Sequence, residues 1–197
     1  MSEVLGGSHY EVKESNKTLN EKHRKTHGTH KYESHHVIPY DSYKGTSKFN
    51  VSKDKGPTIR MDNKDHQRTE SWGKSDEAKQ YRAEQRQLIE QGKHREVWNN
   101  GVQDIRNACQ KNGKPENTYD QHIKQSEKQM LKLHLEGKIK LDDKFKKELE
   151  QRQPKVEKAQ AQTQTTQSPQ QSQQTQKSVF SNNQNLLNQQ QGKGRGH

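Results

Sequence analysis

A single cysteine, Cys109, stands among the 197 residues. One thiol excludes an internal disulfide and any zinc knuckle made of several thiolates, so a bound metal has to rest on histidine and carboxylate. Apolar residues make up only 22% of the chain and aromatics 6%, a supply that limits any compact domain to a small core. No run nears the roughly 18 apolar residues of a membrane span. The start, MSEVLGGSHYEVKESNK, has no apolar stretch behind a basic one, so neither a membrane nor an ordinary secretory signal is expected. Cys109, beside Ala108 in a helix-like stretch, reads as a small buried residue.

What the chain does have is positive charge and histidine. Lys and Arg outnumber Asp and Glu by 36 to 25, for a net +11, and such an excess favours a polyanionic partner, nucleic acid first. Basic disordered proteins share that property, so charge permits the partner without naming it. By texture the sequence divides into a mixed region up to about residue 73, a helix-patterned region to about residue 152, and a polar tail. The expected domains are 1–135, a helical extension over 136–153, and a Gln/Ser/Thr-rich tail over 154–197. That tail carries too few apolar residues to offset chain ordering and reads as disordered.

In the middle region Ser75 is an N-cap before DEAKQYRAEQRQLIEQGK, with Asp76 and Glu77 in the first turn and Gly92 as the stop. A second helix carries Val97 and Trp98, breaks at Asn99-Asn100-Gly101, and resumes through Val102, Ile105 and Ala108. A third runs from about Tyr119 to Leu135, and a fourth from Asp142 to Gln151. Their apolar stripes are core-facing surfaces.

The first region shows no long helical period and is rich in turn formers. SHHVIPY and GPTIRM read as short strands, the second followed by Asp62, an N-cap residue type, so the local order is strand, loop, strand, helix. In a chain with 11 histidines, the adjacent pair His35 and His36 is close to chance and draws meaning only from its surroundings. Asp62 and His66 lie four apart, which on a helix sets both side chains on one face where they can share a divalent cation. Neighbouring side chains on a strand point to opposite faces, so His35 and His36 are expected to divide their labour rather than bind one ion together. Lys64 and Arg68 flank His66 and Arg60 precedes it on the strand, all candidates for holding a phosphate backbone. Trp72 reads as a core anchor closing the helix rather than as a base-stacking platform. His23, His27 and His30 have the spacing of a helical zinc site, but Gly28 and the missing apolar face make the segment a mobile loop.

The run SHHVIPY followed by GPTIRMDNKDHQRTESWG resembles the HNH/endonuclease VII superfamily, and within it the bacterial polymorphic-toxin nucleases with a Ser-His-His signature. LGGSHYEVK, AKQYRAEQRQLIEQGK, DIRNACQKNG and YDQHIKQSEKQML are similar to the C-terminal nuclease modules of Rhs-type toxins, and the likeness covers residues 5–133. It implies an α+β chain, in which a small ββα-metal motif is followed by packed helices. It also implies a metal-dependent endonuclease that hydrolyses phosphodiester bonds, with DNA favoured over RNA. By position His35 would hold one divalent metal ion (Mg, Mn, Zn or Ni), His36 would be the general base, and His66 with Asp62 would complete the ligands. Either Asp62 or Asn63 takes the place of the Asn that orients the base in many members, and Glu70 stands where some carry a second helical His. An immunity protein as partner, and export of a cytoplasmically made toxin by a specialised secretion route, belong to the same expectation.

Overall fold

Strand β3, Pro57–Asp62, is buried from Pro57 to Met61, the mark of a central strand covered on both faces. In the computed structural model, which describes residues 3–153, β1 (Gly6–Ser8) and β2 (Tyr32–His36) pair with it antiparallel, giving the order β1-β3-β2. Helices α1 (His9–His27), α2 (Tyr40–Tyr43), α3 (Asn63–His66), α4 (Asp76–Glu90), α5 (His94–Lys111), α6 (Asp120–Leu135) and α7 (Asp143–Arg152) complete the order. The chain is an α+β protein; α2 lies in the connection between β2 and β3, and α3 follows β3 directly. The disordered tail expected over 154–197 lies outside the described residues.

Local chemistry accounts for most helix ends. Ser75 caps α4 by accepting the Ala78 N–H, and Asp142 caps α7 by accepting the Phe145 N–H. Each satisfies one of the donors a helix start leaves free. The core gathers Ile59 and Met61 from β3, Val97, Trp98 and Ile105 from α5, Met130 and Leu133 from α6, and Phe145 and Leu149 from α7. The segment over 136–153 thus packs into the same core as the strands.

Three expectations need correction. The first region does contain a long helix: α1 spans 19 residues, opened by a capping box between Ser8 and Glu11 and closed at Gly28, whose φ is 73°. Its inner face is His9, Val12 and Asn16, correct spacing for a helix but mostly polar, so no hydrophobic period announces it. The segment holding His23 and His27 is therefore the end of a helix, not a loop. The two rings stack at 4.2 Å on an exposed surface.

Second, α5 runs unbroken through Asn99-Asn100-Gly101. Gly101 serves packing rather than breaking: a Cβ there would overlap the Val37 carbonyl oxygen, so glycine lets α5 touch the backbone that follows β2. Third, Trp72 is 47% exposed and anchors no core, a role taken by the fully buried Trp98.

In an ordinary helix interior, Gly→Ala stabilises by about 1 kcal/mol. At position 101 the sign reverses: Gly101→Ala is expected to cost about 1–3 kcal/mol through overpacking against Val37, read as a lower urea midpoint at unchanged slope.

Candidate functional site

The register pairs His35 with Ile59 and His36 with Thr58, so the histidine pair sits where β2 ends. α3 turns back after β3 and brings His66 to His35, with ring centroids 5.1 Å apart in an edge-to-face arrangement. His36 points the other way and stacks on His9 from the start of α1, at 4.5 Å and 16°. The alternation of the strand thus separates the two histidines by partner, while both still line one cleft of about 300 Å³. His9, His66, Tyr40, Lys53, Ser71 and Arg82 line the same cleft. A larger concavity of about 530 Å³ between β1 and α6 is lined mainly by lysine, glutamine and glutamate and gathers no histidine.

Each ring has a distinct environment. His36 Nε2–H donates to the Lys53 carbonyl oxygen at 3.0 Å. Since a carbonyl only accepts, this fixes the tautomer and leaves Nδ1 with a free lone pair. Burial lowers the His36 pKa to about 4, against the raising effect of that hydrogen bond. Gly56 stands against the ring with extended backbone, φ −61°. A Cβ there would come within 2.8 Å of His36 Cδ2, so the glycine read as a turn signal is needed for space.

His35 is 3% exposed, and burial, followed by the His66 and His36 charges, holds its pKa well below the usual value. Burial lowers His66 too. No hydrogen bond from another described residue reaches either of these two rings. Two neutral, unpartnered imidazoles side by side are a fitting donor pair for a divalent ion that accepts nitrogen ligands. Among the described residues, no third His, Cys, Asp or Glu joins them to make a three-donor group.

Asp62 is not the third donor. It ends β3 opposite Tyr32, three strand residues or roughly 10 Å from the partner of His35. Its backbone is extended (φ −61°, ψ 137°), so the same-face rule for helical residues four apart does not reach it. Its Oδ1 caps α3 by accepting the Lys64 N–H at 3.0 Å, and its Oδ2 lies 3.9 Å from Lys114 Nζ. Asn63 is likewise engaged, accepting from Gln67, and Glu70 pairs with Lys111 at 2.6 Å. Neither lines the cleft.

Arg60 is corrected as well. It is 3% exposed, and its guanidinium donates to Asn16, Ser15 and Glu3, so it ties β3 to α1 and presents nothing to a phosphate. Lys64 and Arg68 are exposed beside His66 but do not line the cleft. The cations that do are Lys53 and Arg82, which no reading of the sequence singled out. His9 was missed for the same reason: LGGSHYEVK marks it only as a neighbour in a motif, and a polar helix face hides its direction.

The backbone after α3 is pinned from α5. Asp104, 4% exposed, accepts the Glu70 N–H at 2.7 Å, and burial raises its pKa to about 6. A raised carboxyl pKa means the fold binds the proton more tightly than the unfolded chain. Its contribution to stability is therefore greatest below the unfolded value near 4 and is lost as pH rises through about 6. Asp104→Asn keeps an acceptor and removes the titration. The stability of the wild type relative to this variant is expected to fall by about 2–3 kcal/mol between about pH 4 and about pH 7, measured by urea unfolding at each pH. No family model, curated protein or solved structure matches the chain.

Proposed function

We propose that the protein is a metal-dependent endonuclease of the HNH type, a toxin or effector cutting phosphodiester bonds with DNA favoured over RNA. The observation that carries this reading is the division among three imidazoles at one cleft: His36 with its Nδ1 free, and His35 beside His66 with no other partner. His35 and His66 would hold one divalent ion, which supplies Lewis-acid stabilisation of charge on the phosphate and on the departing oxygen. His36 takes a proton from the attacking water at Nδ1 while the Lys53 carbonyl keeps its Nε2–H in place. The parallel His9 ring, whose Nδ1 lies 3.5 Å from Asp54 Oδ1, holds the plane of the base. Lys53 and Arg82 offer positive charge to the phosphate, and exposed Lys64 and Arg68 extend it along the strand. The net +11 supports a polyanionic substrate. An immunity protein that covers the cleft belongs to the same proposal.

Incubation with plasmid DNA, and separately with RNA, in Mg²⁺ or Mn²⁺ tests the reading. Cleavage is expected with metal, none with chelator, and a loss of about 10²–10⁴-fold in His36→Ala with metal binding retained. His66→Ala is expected to weaken divalent-ion binding by more than about a hundredfold in calorimetry. Undiminished cleavage by His36→Ala removes that residue from the mechanism. Salt-sensitive binding without cleavage of either substrate favours a non-catalytic basic nucleic-acid-binding protein instead.

A further inference from the structure

We propose that Trp72 is a stacking platform for an unpaired nucleobase, which makes single-stranded or locally opened nucleic acid the class of ligand that the cleft takes. This deepens the nuclease reading and rests on it for the cleavage arm alone. Three large hydrophobic side chains are exposed among the described residues, Tyr10, Trp72 and Leu135. Only Trp72 stands between two residues that line the cleft, Ser71 and Gly73, which sets it at the rim and outside the lining itself.

The turn that carries Trp72 is held on several sides. The Glu70 N–H donates to Asp104, the Trp72 N–H donates to the Thr69 carbonyl at 3.2 Å, and the Arg82 guanidinium donates to the carbonyls of Ser71 and Gly73 at 2.8 and 3.2 Å. These bonds hold the backbone that carries the indole, so a flat apolar partner has only the side chain left to order. Every nucleobase has such a face, and in a duplex that face is already stacked on its neighbours. Charge agrees with this partner. Arg82, which braces the turn, also lines the cleft with Lys53, and Tyr40 lines it with an aromatic ring. Cations for the backbone beside aromatic rings for the bases are the combination that single-strand grooves use.

The two tryptophans make the test direct. Trp98 is fully buried and Trp72 is exposed, so a ligand that stacks quenches Trp72 and leaves Trp98 as an internal reference. The full chain is titrated in chelator, which prevents cleavage, with a short single-stranded oligothymidylate, its duplex, and an abasic strand of equal length. Saturable quenching is expected with the single strand, weaker quenching with the duplex, and none with the abasic strand. Trp72→Ala, whose binding is read by the anisotropy of a dye-labelled strand because the quenched indole is gone, is expected to raise the single-strand dissociation constant about tenfold, the loss of one base stack, with an unchanged salt slope because no phosphate contact is lost. Trp72→Phe is expected to recover most of the affinity, and the Trp98 emission shows that each variant is folded.

Single-strand affinity unaltered in Trp72→Ala, or quenching as strong with duplex or abasic strand, overturns the platform. Trp72-dependent quenching without cleavage in any divalent metal leaves the platform standing and sinks the nuclease. Cleavage with a KM for single strands unaltered in Trp72→Ala does the reverse.

Discussion

The buried carboxylate of Asp65 is the constraint on which the site geometry depends. It is fully buried and accepts the Tyr119 hydroxyl at 2.5 Å, Asn112 Nδ2 at 2.7 Å and Lys114 Nζ at 2.7 Å. A buried charge is tolerable only when hydrogen bonds of this kind surround it. Its three partners come from the end of α5 and the approach to α6, so one side chain of α3 draws the distant half of the chain onto the helix next to it. Tyr119 also accepts the Asp62 N–H at 2.9 Å, which fastens the junction between β3 and α3. His66 follows Asp65 directly, so its position opposite His35 is set by a polar anchor rather than by packing of its own.

That pattern recurs wherever the apolar supply runs short. Asn20 holds both the Tyr32 carbonyl and the N–H groups of Lys31 and Tyr32, and Asn16 reaches Ser34 Oγ. The His94 ring lies between the carbonyls of Lys140 and Lys48. The chain spends its hydrocarbon on one core around α5, α6 and α7, and attaches the sheet and the loops of the site by directed hydrogen bonds. Such contacts fix orientation well, since a hydrogen bond weakens steeply with angle where an apolar contact does not.

What could be read in advance follows the same division. α4 and α7 announce themselves because the caps Ser75 and Asp142 stand before apolar residues at helical spacing, and α6, which has no side-chain cap, through its apolar stripe alone. Of SHHVIPY only residues 34–36 are strand, since β2 covers Tyr32–His36 and Pro39 leads into α2 at Tyr40, whereas β3 announces itself through a short β-rich run opened by a Gly-Pro turn. α1 does not, because Asn16 and Asn20 do the work that leucines do elsewhere. Gly101 misleads because a glycine kept for close approach looks the same in sequence as one kept for a break, and Asp62 misleads because a cap residue obeys the strand before it rather than the helix after it. Of the site, the pair His35 and His36 with His66 was legible as a motif. His9, Lys53 and Arg82 were not, since they come from three separate segments and only the folded chain sets them at one cleft.

The amide seam between α1 and β2 has a thermal consequence. Apolar burial carries a large heat-capacity change and weakens on cooling, whereas exposed polar surface contributes to heat capacity with the opposite sign. The seam held by Asn16 and Asn20 therefore follows a different temperature course from the core under α5. His9 rides on that seam, so the ring stacked against His36 is carried by polar contacts whose temperature course is not that of the hydrocarbon core of the same molecule.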